Sequence, residues 1–239
     1  MAALIEPPLV RTDRLTLHFG GIKAVDGVDF TLRPGEIHGL IGPNGAGKTT
    51  FVSLLSGRRM AQSGTILLAG EDITRLPAHE RVRKGIAYTF QITSIFPRLT
   101  VFDNVALAVQ SQGTRDLTTR TRAALARVGL QGLEAQEAQT LSYGHQRLLE
   151  LAMGLALKPR LLILDEPTQG LAASEIERFK TLVRSLVPAT TVLLIEHNME
   201  VVMDLATRIT VLTFGRVLAT GTPAEVRANP AVQEAYLGA

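Results

Sequence analysis

The sequence predicts an α/β fold: a mostly parallel sheet covered by helices, with a helical segment inserted into it. Short, wholly apolar runs (LLIL at 161–164 and TVLLI at 191–195) alternate with helical stretches. A strand that is apolar on both sides belongs in a parallel sheet covered on both faces. The stretch from about 97 to 160 reads helical, and a glycine-rich loop joins a short apolar strand to a helix near residue 42.

Residues 8–33 alternate apolar and polar (Leu15, Leu17, Phe19; then Val25, Val28, Phe30, Leu32), the pattern of half-buried strands. Pro34-Gly35 is a turn. Glu36 to Ile41 is a short strand, and a helix is predicted from about Lys48 to Ser56, ended by Gly57. Thr65–Leu68 and Ile86–Phe90 read as further strands. In the helical stretch, Thr100 and Asp103 are candidate caps. Leu148, Leu151, Ala152 and Leu155 recur at i, i+3, i+4, i+7 as one buried face, and Pro159 stops that helix. The last third alternates strand 161–164, helix Ser174–Leu186, strand 191–195, helix Met199–Ala206, and strands at Ile209–Thr213 and Val217–Ala219. Thr222 and Asn229 each precede a proline, which marks two short closing helices.

Composition narrows the function. A chain of 239 residues buries a large core as one domain. With no cysteine, disulfides, thiolate metal sites and cysteine nucleophiles are excluded, and a reducing compartment is compatible. Net charge is +3, and its densest basic stretch (Arg115, Arg120, Arg122, Arg127) reads as the solvated face of a helix. Aromatics are 5% with no Trp, so no nucleic-acid partner is expected. The start, MAALIEPPLV, lacks a basic region, and Glu6, Pro7 and Pro8 interrupt its apolar residues, so no targeting segment is expected. No run approaches the about 18 apolar residues of a membrane span, so a membrane role requires a partner.

Residues Gly42-Pro43-Asn44-Gly45-Ala46-Gly47-Lys48-Thr49-Thr50 fit G-x-x-x-x-G-K-[ST] between a predicted strand and a predicted helix. Triphosphate oxygens need many N–H donors at close range, and glycines let the backbone approach without a Cβ. The helix N-terminus adds a positive dipole end. Lys48 supplies a point charge for the outer phosphates, and Thr49 a hydroxyl for Mg²⁺. Downstream, LLIL runs into Asp165-Glu166-Pro167. Alone, an acid after an apolar strand is also what a turn looks like. Beside a phosphate loop it is a Walker B arrangement, with Asp165 holding magnesium and Glu166 polarising the attacking water.

Between the two motifs lies Leu141-Ser142-Tyr143-Gly144-His145-Gln146-Arg147. Here the chain resembles the ABC ATPase family, whose signature is usually LSGGQ. Tyr143 stands where that pattern has glycine and His145 where it has glutamine. Ser142 sits where a helix should begin, so it reads either as a cap or as a contact to a γ-phosphate. The resemblance covers nearly the whole chain and implies further roles. Gln91, in Thr89-Phe90-Gln91, corresponds to the Q-loop glutamine that links metal and water to the membrane partner. His197 corresponds to the switch histidine at the γ-phosphate, and Phe19 to the aromatic that stacks on adenine. Gly170-Leu171-Ala172 occupies the D-loop, where Ala172 replaces a common aspartate.

The fold so implied is a P-loop NTPase core with a RecA-like, mostly parallel sheet. It carries an N-terminal antiparallel β subdomain (1–91) and an inserted helical subdomain with the signature (92–160), and the rest of the core follows (161–239). The segments IAYTFQ (86–91), PRLTVFDNV (97–105), EHNMEVVMDLATRI (196–209) and the tail GTPAEVRANPAVQEAYLG (221–238) resemble the ATPase subunits of bacterial branched-chain amino-acid importers. The implied assembly pairs two ATPase subunits, identical or related, around two ATP and Mg²⁺, with Ser142, Tyr143, Gly144 and His145 of one facing the phosphate loop of the other. Two transmembrane permease subunits and, indirectly, a periplasmic substrate-binding protein complete it at the cytoplasmic face of the inner membrane. The competing expectations are an exporter ATPase for lipid or lipopolysaccharide, a soluble ABC ATPase working on DNA or ribosomes, and a P-loop kinase or GTPase.

Overall fold

A computed structural model describes residues 7–89, 94–113 and 115–237. Two sheets organise them. In the four-stranded sheet, β1 (Val10–Phe19) pairs antiparallel with β2 (Ile22–Leu32) on one side and β4 (Ser63–Leu68) on the other, and β4 pairs with the two-residue β5 (Glu71–Asp72). The six-stranded sheet runs β10-β9-β3-β8-β7-β6. Strands β6 (Ile86–Thr89), β7 (Leu161–Asp165), β8 (Thr191–Ile195), β3 (Ile37–Ile41) and β9 (Arg208–Thr213) are parallel, and β10 (Arg216–Gly221) closes one edge antiparallel. Every residue of β3, β7 and β8 is buried, which is why these strands carry no polar/apolar alternation.

The pleat of β7 and β8 sends alternate side chains to two different cores. Leu162, Leu164, Val192 and Leu194 join the cluster built by the inserted helices α3 (Val101–Gln110), α4 (Leu117–Arg127) and α5 (Tyr143–Ala156), together with Phe179 and Val183 of α6 (Ala173–Leu186). Leu161, Ile163 and Leu193 join the cluster beneath the antiparallel sheet, with Leu15, Val28, Phe51 and Leu54. Each such side chain contributes about 1.5–3 kcal/mol by leaving water. The sheet thus supports the antiparallel layer on one face and the helical insert on the other.

Several ends follow the expected capping chemistry. Thr100 Oγ1 accepts from Asp103 N at 3.0 Å and its hydroxyl donates to Asp103 Oδ2 at 2.7 Å, which opens α3. Thr222 and Glu225 form a reciprocal capping box ahead of α8 (Pro223–Ala228), and Asn229 Oδ1 accepts from Ala231 N before α9 (Pro230–Leu237). Two details differ from the sequence reading. Leu148 is half-buried rather than buried, because the inner face of α5 is centred on Leu149, Leu151, Ala152 and Leu155. Arg115, Arg122 and Arg127 are exposed as expected, but Arg120 is half-buried.

One short helix escaped the sequence reading. Helix α2 (Ala78–Arg83) carries Arg81, which is fully buried. Its guanidinium donates to the carbonyls of Leu54 (2.5 Å), Leu55 (3.0 Å), Thr74 (3.0 Å) and Leu76 (2.9 Å). The first two belong to the last turn of α1 (Lys48–Leu55), so a cation from another element completes the C-terminus of that helix and meets its negative dipole end. Burial lowers the Arg81 pKa to about 10, leaving it charged at neutral pH.

Candidate active site

Strand β3 delivers the loop 42–47 to the N-terminus of α1, as the motif requires. The loop is pressed between two neighbouring backbones. At Gly42 (φ 152) a Cβ would lie 2.2 Å from the Leu212 carbonyl oxygen, and at Gly47 (φ 101) it would lie 2.0 Å from that of Ala24. Any side chain at either position displaces a strand end. Lys48 is buried, and its Nζ donates to the carbonyls of Gly42 (2.6 Å) and Pro43 (3.1 Å). Burial lowers its pKa, while the negative charges of Glu166 and Asp165 act to raise it. Asn44, Gly45 and Thr49 are exposed, Pro43 and Thr50 half-buried, and Ala46 buried beneath the loop.

Asp165 ends β7 and is buried. Burial raises its pKa, and the Glu166 charge adds to this. A hydrogen bond from the Tyr88 hydroxyl to Asp165 Oδ2 at 2.5 Å opposes it, as do the Arg58 and Lys48 charges. Tyr88 was not anticipated. It faces Ile163 in the β6–β7 register, two residues from Asp165, so the contact is a diagonal that sequence spacing does not reveal. Burial and this bond push the Tyr88 phenol well above its usual range. The Arg58 guanidinium lies 5.3 Å from the centre of its ring.

Glu166 turns the chain with φ 49, and its N–H donates to the Ile195 carbonyl at 2.8 Å. His197 follows β8, the strand beside β7, and its Nε2 lies 2.8 Å from Glu166 Oε1. The structure therefore groups Lys48, Asp165, Glu166 and His197 at one end of three neighbouring parallel strands. Phe19 ends β1, 41% exposed, with the Arg59 guanidinium 5.2 Å from its ring centre. The same hairpin contributes Ala24, which touches Gly47, so this tip stands beside the loop. Gln91 lies outside the described residues.

Ser142 is the N-cap of α5, its Oγ accepting from His145 N at 3.3 Å. Ser142, Tyr143 and His145 are exposed, while Gly144 is buried against Glu175, whose Oε1 would lie 2.2 Å from a Cβ there. The Tyr143 hydroxyl accepts from Arg147 Nε at 3.1 Å, and a Cβ at Gly170 would meet the Tyr143 ring at 3.0 Å. Ala172 is exposed, and its N–H donates to Glu175 Oε2 at 2.8 Å, half of a capping box for α6.

The chain as a whole has known relatives. Residues 25–169 match the family described as ABC transporter. The chain belongs to that family. It is an ATP-binding, ATP-hydrolysing cassette of the ABC type, and residues 216–239 further match the family described as branched-chain amino acid ATP-binding cassette transporter. This ABC ATPase is 38% identical to the high-affinity branched-chain amino acid transport ATP-binding protein BraF of Pseudomonas aeruginosa, over 97% of this chain and 98% of that protein. It is equally 38% identical to LivG of Escherichia coli, with the same coverage. Identity to the lipopolysaccharide export system ATP-binding protein LptB of Haemophilus influenzae is 34%, over 96% of this chain and 97% of that one. Among solved structures, a nucleotide-free ATP-binding cassette from an ABC transporter superposes with TM-score 0.87 at 28% identity, covering 98% of this chain and all of that one. The ADP conformation of an ATP-binding cassette gives the same TM-score at 27% identity. Among the described residues no helix is long and apolar enough to cross a membrane.

Proposed function

We propose that this ABC ATPase powers uptake of branched-chain amino acids through two permease subunits fed by a periplasmic binding protein. The observation that carries its chemistry is the 2.8 Å contact between Glu166 and His197 beside the Lys48 cradle. The cargo reading is supported by the C-terminal match and by the BraF and LivG similarity over nearly the full chain.

In this reading Lys48 leaves the Gly42 and Pro43 carbonyls for the outer phosphates of ATP, while the amides of residues 42–50 hold the rest. Phe19 stacks on the base. The Thr49 hydroxyl and the Asp165 carboxylate would hold Mg²⁺, a role that the family resemblance also gives to Gln91. No group of three His, Cys, Asp or Glu able to hold a metal occurs among the described residues. One carboxylate and one hydroxyl suit Mg²⁺, which is usually bound by one or two carboxylates plus phosphate oxygens. Mg²⁺ held by these residues would supply neutralisation of the phosphate charge. Glu166 Oε1 accepts a proton from the water that attacks the γ-phosphorus, and the bond to the β–γ bridging oxygen breaks to leave ADP and phosphate. The His197 ring, set beside Glu166 by that contact, steadies the γ-phosphate. Ser142, Tyr143, Gly144 and His145 of a second ATPase subunit, identical or related, cover the nucleotide. Closure is driven because the bridged γ-phosphate binds the closed pair better than the open one.

Glu166→Gln tests this assignment. The variant should bind ATP, accumulate as a closed pair, and lose about 100-fold or more in kcat, the scale of a removed general base. Normal turnover would refute the role of Glu166.

The permease would dock in the cavity of about 350 Å³ that α5 and β6 share, lined by Ala87, Tyr88, Ala108, Met153 and Leu157 among others. This seats the ATPase peripherally at the cytoplasmic face of the inner membrane. Met153→Arg should abolish stimulation by the permease while leaving basal ATPase intact, and unchanged stimulation would place docking elsewhere. The LptB similarity favours a second reading, lipid or lipopolysaccharide export. ATPase stimulated by leucine-loaded binding protein in reconstituted complexes separates the two.

A further inference from the structure

Glu196 is a buried carboxylate that the mechanism above does not use; it is 4% exposed. Its two oxygens face two different loops. Oε1 accepts from the Thr168 N–H at 2.8 Å and from the Thr168 hydroxyl at 2.6 Å. Oε2 accepts from the His197 N–H at 3.1 Å and, at a longer 3.4 Å, from the Asn198 N–H. Thr168 lies two residues after Glu166, in the loop that leaves β7. His197 and Asn198 begin the loop that leaves the adjacent parallel strand β8, and Asn198 then caps α7 (Met199–Leu205) by accepting from Glu200 N and Val201 N. An ionised carboxylate is purely an acceptor, and donors from both loops converge on this one.

We infer that Glu196 is a positioning residue for hydrolysis: a single carboxylate ties the loop after Glu166 to the loop carrying His197 and so sets the spacing of that pair. The geometry gives it the means. Glu166 and His197 meet at 2.8 Å, yet the His197 side chain is 46% exposed, so packing alone holds it loosely. Its backbone anchor on Glu196 fixes where the ring starts. The loop that binds the triphosphate lies after β3, and the Glu196 bonds do not reach it. Glu196 therefore acts on the arrangement of the reacting groups rather than on nucleotide capture. This inference rests on the reading of Glu166 and His197 given above.

The test uses the purified full-length chain. Glu196→Gln keeps length and volume but turns one oxygen into a donor, so one of the two loops meets N–H against N–H. We expect kcat to fall about 10- to 100-fold, the scale of a misplaced catalytic group. Affinity for a fluorescent ATP analogue should stay within about twofold, because loss confined to kcat marks an interaction that matters after binding. Thr168→Val removes only the hydroxyl contact and should give a smaller loss in kcat at unchanged affinity. The double variant should lose no more than Glu196→Gln alone, since both changes break one network. An unchanged kcat in Glu196→Gln, an equal loss of affinity and kcat, or multiplying losses in the double variant would each overturn the inference. Where Glu196→Gln does not fold, Thr168→Val decides: reduced kcat at wild-type affinity supports the inference, and wild-type kcat removes it. Failure of the underlying reading is separate, and would appear as normal turnover in both Glu166→Gln and His197→Ala.

Discussion

The phosphate loop and the signature turn both place a helix N-terminus where an anion is expected, yet they are built in opposite ways. The loop is clamped: Gly42 and Gly47 press against the backbones of Leu212 and Ala24, Lys48 is buried, and Arg81 completes the far end of its helix. The start of α5 is open, with Ser142, Tyr143 and His145 exposed and a bond from His145 N to Ser142 Oγ, at 3.3 Å, opening the helix. One half-site is a finished receptor. The other is an exposed face, which the proposed pairing would cover. Stability and nucleotide capture should therefore depend on the first, and pairing on the second.

Arg81→Met attacks the clamped side hardest. Three buried carbonyls and one half-buried carbonyl lose their donor, which should cost at least about 3 kcal/mol. Calorimetry should register a fall in Tm of about 6–12 °C for a chain of this size, with ATP affinity falling too as the end of α1 loosens. A wild-type Tm would mean that the guanidinium is not needed to complete that helix.

Gly47→Ala comes next. The new Cβ meets the Ala24 carbonyl, and φ 101 is a strained conformation for alanine. The expected cost is about 2–3 kcal/mol, with loss of ATP binding by titration. Retained binding would show that the loop adapts and that the clamp is not essential.

Ser142→Ala should be mildest for the fold, about 1 kcal/mol for a lost cap. A lone subunit should bind ATP as before but no longer pair in its presence on size-exclusion chromatography. Weakened binding to the lone subunit would break the contrast, because the two half-sites would then not be separable.

How far these regions are legible in the sequence follows the same divide. The loop, Asp165 and Glu166 each follow directly on a short apolar strand within one continuous stretch of chain, so motif and fold predict each other. His197 and Phe19 needed the family resemblance, because a histidine or an aromatic at a strand end has many ordinary uses. Arg81 and Glu196 were not legible. AHERVR has no apolar periodicity to mark a helix, and an arginine in it reads as a solvated charge until the sheet folds it against α1. Glu196 meets Thr168 only because β7 and β8 lie side by side, a pairing of residues 28 apart that no local pattern encodes. Tyr88 is the same kind of case. Its strand was expected, but its reach to Asp165 depends on how β6 sits against β7.

The ammonium of Lys48 already rests on two carbonyls of its own loop. On the proposed reading, a triphosphate would have to draw that ammonium away from the oxygens of its own loop. Capture in the proposed mechanism would then be an exchange of oxygen partners around one charge.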